Sequence, residues 1–261
     1  MSVPLAFQRL PAVAPRRSAA RLREAVRGLA APLGRRLLKY VLLRAPSLRS
    51  QHFGAEEMAD LAVRFLATNE IRGSYLEFGL YRGAAFAHFY HALRRHRLDL
   101  PMFGFDSFQG MPTATGADAT PGFRPYAKGY FACTEAEVRS ELRRKRVPEA
   151  AYTLVPGFYQ HSLQPALYTR RGLAPSAVVL IDCFYYESTR LALRFVTPTL
   201  QNGTVLICNS YFRFKADPDH GERGAVAHWA RQHPTLTLTE YARFGTTGLA
   251  YIVHVAEAVT A

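Results

Sequence analysis

Two segments constrain this chain more than any others: SYLEFGLYRG, Ser74 to Gly83, and, one helix length later, MFGFDSFQGMP, Met102 to Pro112. Each starts with an apolar run of strand length, and the first ends on two glycines four apart, Gly79 and Gly83. Followed by a stretch with helical spacing, this is the pattern of a β-turn-α-β unit. Glycine at the strand end lets the backbone turn tightly and approach a ligand, and the second glycine lets the helix start close to it. Asp106 falls at the tip of the second strand, where a carboxylate can accept both hydroxyls of a ribose. The competing reading is a tight βαβ turn that binds nothing, and the position of Asp106 weighs against it.

The rest of the chain repeats the alternation. Strands are expected near 74–78, 102–106, 152–155, 177–182, 203–208, 235–239 and 248–254, with helices near 55–69, 83–97, 134–146, 188–200 and 221–232. That order predicts an α/β, Rossmann-like fold: a seven-stranded, mostly parallel sheet with helices on both faces and an antiparallel C-terminal strand pair. Thr134 and Glu137 form a capping box, and Ser188 or Thr189 is placed to cap the following helix. Thr113 to Gly129, rich in Gly, Pro, Thr and Ala and directly after the ribose position, reads as a lid. Residues 51–261 form the body, and residues 1–50 a basic helical extension.

Charge is unevenly placed. The chain carries +13 over 261 residues, but residues 1–50 hold eleven Lys or Arg and one acid, Glu24, so that +10 lies there and +3 in the remaining 211. A nearly neutral body gives a nucleic-acid substrate little electrostatic support. Apolar residues recur at helical spacing between Ser18 and Leu43. The extension is open to three roles: a helical cap or dimer arm, a contact with an anionic membrane surface, or a tail. No apolar run approaches the roughly 20 residues of a spanning helix, and no continuous apolar segment marks a secretory signal. Cys133, Cys183 and Cys208 lack metal or disulfide spacing, which suits a reducing cytoplasm, and Cys183 and Cys208 read as small buried hydrophobes.

The turn also discriminates among nucleotides. Dinucleotide binders use G-x-G-x-x-G so that the helix N-terminus holds a pyrophosphate. Here the turn is E-x-G-x-x-x-G and sets the Glu77 carboxylate beside the ligand. A carboxylate repels phosphate and suits a cation, so S-adenosylmethionine, with its ammonium and sulfonium, fits better than NAD. Ligands of open α/β sheets sit beyond the carboxyl ends of the strands. The residues there are Glu77, Phe78 and Gly79, Asp106 and Ser107, Gly157 and Phe158, Asp182 to Tyr186, and Asn209 to Tyr211.

Taken together, SYLEFGLYRG, FGFDSFQGMP, PGFYQHSLQ (Pro156 to Gln164), IDCFYYEST (Ile181 to Thr189), NGTVLI (Asn202 to Ile207) and RGAVAHW (Arg223 to Trp229) resemble the macrocin O-methyltransferase type of class I S-adenosylmethionine-dependent methyltransferases. The resemblance spans roughly residues 51–255 and implies methylation of hydroxyls on natural-product sugars. It implies that Glu77, Phe78, Gly79 and Gly83 form the methionine-side loop, Asp106 and Ser107 the ribose site, and Gly157 with Phe158 the adenine edge. Members of that family read D-C-D-x-Y-E-S-T and Asp-Asp-Tyr at a magnesium site. This chain keeps Asp182 but has Phe184 and Asn209-Ser210 at the other positions. One carboxylate of four is a poor offer to a hard ion, so no tightly bound metal is expected.

Without a metal, a side-chain base is needed. Asp182, itself a candidate cofactor contact, is the best placed, and His220 in the loop after the fifth strand is the second. Tyr185, Tyr186 and Tyr211 are candidates for an aromatic pocket around a small-molecule acceptor, with core packing as the competing role. A non-catalytic S-adenosylmethionine-binding or scaffold protein, derived from such an enzyme, is the alternative function.

Overall fold

The computed structural model describes residues 54–119, 124–170, 172–173 and 175–256. The basic extension, with its expected helices and dimer or membrane roles, lies outside the described residues. In chain order the strands are β1 (Ser74–Phe78), β2 (Met102–Asp106), β3 (Tyr152–Pro156), β4 (Ser176–Ile181), β5 (Thr204–Cys208), β6 (Leu236–Phe244) and β7 (Gly248–Val255). The principal helices are α1 (Ala55–Thr68), α2 (Ala84–Arg95), α3 (Glu135–Arg144), α4 (Tyr186–Val196) and α5 (Gly221–Gln232).

The strands form one sheet in the order β3-β2-β1-β4-β5-β7-β6. β1, β4 and β5 are buried along their whole length, as parallel strands covered on both faces must be, which is why they read as unbroken apolar runs. β5 pairs antiparallel with β7, and β7 with β6, so the expected hairpin closes the sheet. The strand order reverses between β1 and β4, the neighbours that both leave the sheet at the same end. A crevice opens at such a switch point.

Each face has its own core. On one, α1 (Met58, Ala62, Leu66), α2 (Phe86, Phe89) and α3 (Val138, Leu142) cover Tyr75, Val178 and Val205. On the other, α4 (Ala192, Leu193, Val196) and α5 (Ala225, Val226, Trp229) cover Phe78, Phe105 and Ile181, with the Phe78 and Phe105 rings stacked 4.7 Å apart. The Thr134–Glu137 capping box forms as expected, the Glu137 amide donating to Thr134 Oγ1 and the Thr134 amide to Glu137 Oε2. The cap of α4 differs. The helix starts at Tyr186, and Thr189 Oγ1 donates back to the Tyr185 carbonyl at 2.8 Å instead of capping. The capping acceptor is Asp118, from the short helical turn Gly116–Ala119 in the lid segment, which receives the Tyr186 and Glu187 amides at 2.8 and 3.0 Å. The first-turn N–H groups of a helix need such an acceptor, and a buried carboxylate from a distant segment serves as well as a local hydroxyl.

Candidate active site

The turn after β1 and the tip of β2 are built as one piece. Gly79 has φ +88, and a Cβ there would lie 2.3 Å from the Asp182 carbonyl oxygen, so the position admits glycine on both counts. Asp106 Oδ2 accepts the Leu80 and Tyr81 amides at 2.7 and 3.2 Å, and Oδ1 accepts the Phe108 amide at 2.8 Å. A carboxylate offers about four acceptor positions, so Asp106 braces the turn with three and keeps one for a ligand. Ser107 Oγ donates to the Gly110 carbonyl at 3.0 Å and accepts the Gln109 amide at 3.1 Å.

Asp182 sits where β4 ends, its amide donating to the Phe78 carbonyl at 2.9 Å. Its carboxylate receives Asn209 Nδ2 at 2.9 Å and Ser210 Oγ at 3.5 Å. Burial pushes its pKa up to about 6, against the lowering effects of Asn209, Arg213 and Ser210. Beneath it lies a residue with no counterpart among the sequence candidates. Glu222, fully buried at the start of α5, accepts the amides of Cys183 (3.1 Å), Phe184 (3.4 Å) and Ser210 (2.8 Å). One carboxylate therefore clamps the loops after β4 and β5 together. Burial holds its pKa well above the ordinary carboxylate range.

The lid segment packs over this centre. Phe184, at φ +62, projects its ring flat against Phe131 with centroids 5.2 Å apart, and Tyr126 packs edge-on to both. Tyr185 is buried and donates its hydroxyl to the Tyr126 carbonyl at 2.9 Å. Arg213 Nη1 donates to the Tyr126 hydroxyl at 2.9 Å, with its guanidinium carbon 5.0 Å from the Phe184 ring centre.

These pieces enclose a cleft of about 250 Å³. Of the sequence candidates, Gly79, Asp106, Ser107, Phe158 and Asp182 line it, together with Phe131, Phe184 and Arg213. A second cavity of about 480 Å³ shares Pro112, Phe158, Gln160, Ser188 and Leu191 with it and is lined by Tyr185. The other candidates stand elsewhere. Glu77 is buried and accepts the Tyr75 hydroxyl, with burial raising its pKa well above normal; it lies behind the cleft wall and does not line the cleft. Phe78 packs in the core, and Gly83, at φ +65, packs against Leu142 at the start of α2. Gly157, at φ +124, turns the chain toward Phe158. His220 Nδ1 is 2.9 Å from Asp217 Oδ1, and neither cavity is lined by it. The Tyr186 hydroxyl is 2.8 Å from His228 Nδ1, and the Tyr211 ring packs on Phe212 and Tyr251; both tyrosines pack against the core of the α4–α5 face, and neither lines a cavity.

The donor set does not fit magnesium. Asp182 already receives an amide and a hydroxyl, the Phe184 ring offers no ligand, and a guanidinium stands nearby. Such an ion wants charged oxygens. The cleft does fit a cationic, phosphate-free ligand, since Asp106 and Asp182 supply its carboxylates and its remaining walls are largely apolar or aromatic.

Comparison with known proteins bears on the same segments. The profile of the Macrocin-O-methyltransferase (TylF) family matches residues 40–229. A curated protein of Streptomyces olivaceus, 8-demethyl-8-(2,3-dimethoxy-alpha-L-rhamnosyl)-tetracenomycin-C 4'-O-methyltransferase, is 28% identical over 173 residues. The match spans 64% of this chain and 64% of that relative's length. Among solved structures, the O-methyltransferase NovP superposes with a TM-score of 0.61 at 23% identity, covering 76% of this chain and 78% of that one. CalS11, a calicheamicin methyltransferase, superposes with a TM-score of 0.61 at 17% identity over 96% of this chain and 99% of that one. Both similarities establish the fold.

Proposed function

Because the chain belongs to the Macrocin-O-methyltransferase family, we propose that it transfers a methyl group from S-adenosylmethionine to a hydroxyl of a sugar-bearing small molecule, without a bound magnesium ion. The observation that carries this reading is the cleft at the switch point, where Asp106 and the Gly79 turn meet Asp182. A rhamnosyl-directed O-methyltransferase among the relatives supports a deoxysugar acceptor.

Bound S-adenosylmethionine supplies a methyl group already activated by its sulfonium. Asp106 and Ser107 hold the ribose, Gly79 and the turn it begins hold the methionine end, and Phe158 flanks the adenine. Asp182 serves as the base for the acceptor hydroxyl, a role that the residual charge of a part-buried carboxylate with a pKa of about 6 suits at neutral pH. Asn209 and Ser210 orient it. The lid aromatics exclude water and align the acceptor, and alignment alone can be worth several kcal/mol.

The test has two parts. Calorimetry should show S-adenosylhomocysteine binding, weakened about 10- to 100-fold in Asp106→Ala, since the one charge-assisted hydrogen bond lost is worth about 1.5–3 kcal/mol. Mass spectrometry should show p-nitrophenyl α-L-rhamnoside gaining one methylene in the presence of S-adenosylmethionine, with equal rates in EDTA and in magnesium. Cofactor binding without transfer would favour the non-catalytic alternative. A melting temperature raised by NAD and not by S-adenosylhomocysteine would refute both.

A further inference from the structure

Arg213 is the one cationic side chain among the described residues that line the first cleft. Among the described residues, arginines that pair with carboxylates do so at exposed or half-exposed positions, as Arg139 does with Glu135 and Arg243 with Glu240; Arg213 is in no such pair. It is held instead by groups that leave its charge intact. The Phe184 ring lies beneath it, and the Tyr126 hydroxyl receives one of its five N–H donors. Both partners belong to the loops that wall the cleft, and both rings are fixed by Phe131. Asp182 lines the same cleft, close enough for the guanidinium to favour its ionised form yet without an ion pair between them. One cleft thus holds both a side chain with N–H donors to spare and a carboxylate acceptor. A hydroxyl, which both accepts and donates, satisfies the two together.

We propose that Arg213 is the acceptor-positioning cation of this site: its guanidinium holds the acceptor oxygen while Asp182 takes that oxygen's proton. Arg213 then supplies the positive charge of an ion for which Phe184, Asn209 and Ser210 offer no charged ligand. This inference rests on the methyltransferase reading above. In the step it describes, the hydroxyl proton passes to the Asp182 carboxylate and the oxygen forms a bond to the methyl carbon. The carbon–sulfur bond breaks with its electron pair kept by sulfur, leaving a methyl ether, a neutral thioether and a protonated Asp182 that returns its proton to water. Arg213 lowers the cost of the negative charge that develops on the oxygen, as a preorganised donor does at an oxyanion.

Arg213→Ala and Arg213→Lys test this in the full chain, with p-nitrophenyl α-L-rhamnoside as the probe. Removing one preorganised donor costs about 10²–10³-fold in kcat, and Arg213→Ala should lose that much. Its S-adenosylhomocysteine affinity should stay within about twofold, because no cofactor contact is assigned to Arg213. Arg213→Lys should recover part of the rate, and ethylguanidinium should rescue Arg213→Ala without affecting the native protein. A kcat in Arg213→Ala within about twofold of native would overturn the proposal. So would a loss that neither Lys nor ethylguanidinium relieves and that S-adenosylhomocysteine binding shares, since that marks a structural residue. A native protein that binds S-adenosylhomocysteine but methylates no glycoside would overturn the underlying reading, and this inference with it.

Discussion

Glu222 gives the most demanding check on how the site is built. Its carboxylate accepts the Cys183, Phe184 and Ser210 amides, and these join the loop carrying Asp182 to the loop carrying Asn209. In Glu222→Ala the three N–H groups lose their acceptor, those of Cys183 and Ser210 in a buried setting and that of Phe184 in a part-buried one. An orphaned buried donor costs about 1–3 kcal/mol, and the 3.4 Å bond to Phe184 counts least. Two full losses come to about 2–6 kcal/mol, offset in part because a buried carboxylate no longer has to be desolvated. A net loss of about 3 kcal/mol corresponds to a fall in Tm of about 6–12 °C for a body of this size. Glu222→Gln keeps one carbonyl acceptor but turns an NH2 toward the other amides, and should lose about half as much. Scanning calorimetry of the native protein and both variants, with and without S-adenosylhomocysteine, measures this. Both variants should lose more kcat than cofactor affinity, because Glu222 holds Asp182 and not the Gly79 turn. An Ala variant that melts within about 1 °C of native, or a Gln variant less stable than Ala, would refute the clamp.

Two further outcomes follow from named contacts. Burial raises the Asp182 pKa to about 6, so its protonated form, useless as a base, dominates below that pH. The pH profile of kcat/KM should fall tenfold per unit below about 6, and Asp182→Asn should remove that limb while lowering the rate by about 10²–10⁴-fold; a flat profile from about pH 5 to 8 would remove Asp182 from the role. Asp118→Ala strips α4 of its cap from the lid, which costs about 0.5–2 kcal/mol. Trypsin should then cut faster at Lys128, exposed on the lid segment, and unchanged cleavage would show that Asp118 does not hold it.

The sheet was legible because its central strands leave little choice. β1 and β2 are short and mostly apolar, with Gly79 just beyond the one and Asp106 ending the other, and their residue ranges match the expectation to the residue. The same property made Gly79, Asp106, Phe158 and Asp182 legible, since each lies at or just beyond a strand's carboxyl end and the fold brings all such ends to one cleft. Local pattern failed where the partner is distant in the chain. Ser188 and Thr189 looked like caps of α4, but the cap comes from Asp118, and no periodicity links residues that far apart. Tyr186 and Tyr211 followed the right strands yet pack against the core and line neither cavity, because a strand end fixes where a loop begins and not which way its side chains point. Phe184, at a positive φ, lines the cleft, and Tyr186, two residues on, does not. Glu222 did leave a trace: it shares the buried face of α5 with Ala225, Val226 and Trp229, three, four and seven positions on, and a carboxylate on an apolar stripe needs partners.

That trace bears on how a site can lose ligands and stay coherent. Substituting Phe184 and Asn209-Ser210 for charged ligands would, taken alone, leave loops that no longer share a common centre. Here the same backbone segments are gathered from below by Glu222 and from above by the aromatic stack of Phe184 on Phe131. The apolar ring that offers nothing to an ion is the one that seats Arg213. On the reading proposed above, Phe184, Asn209 and Ser210 belong to an alternative in which positive charge arrives on Arg213 and loop geometry is held by the buried Glu222 carboxylate. The arrangement predicts coupling. Phe184→Asp should not restore metal use by itself, because it removes the platform under Arg213 while Glu222 still holds the loop amides. Its kcat should fall in magnesium as well as in EDTA, and a variant that gained rate specifically with magnesium would show that the native loops remain arranged for the ion.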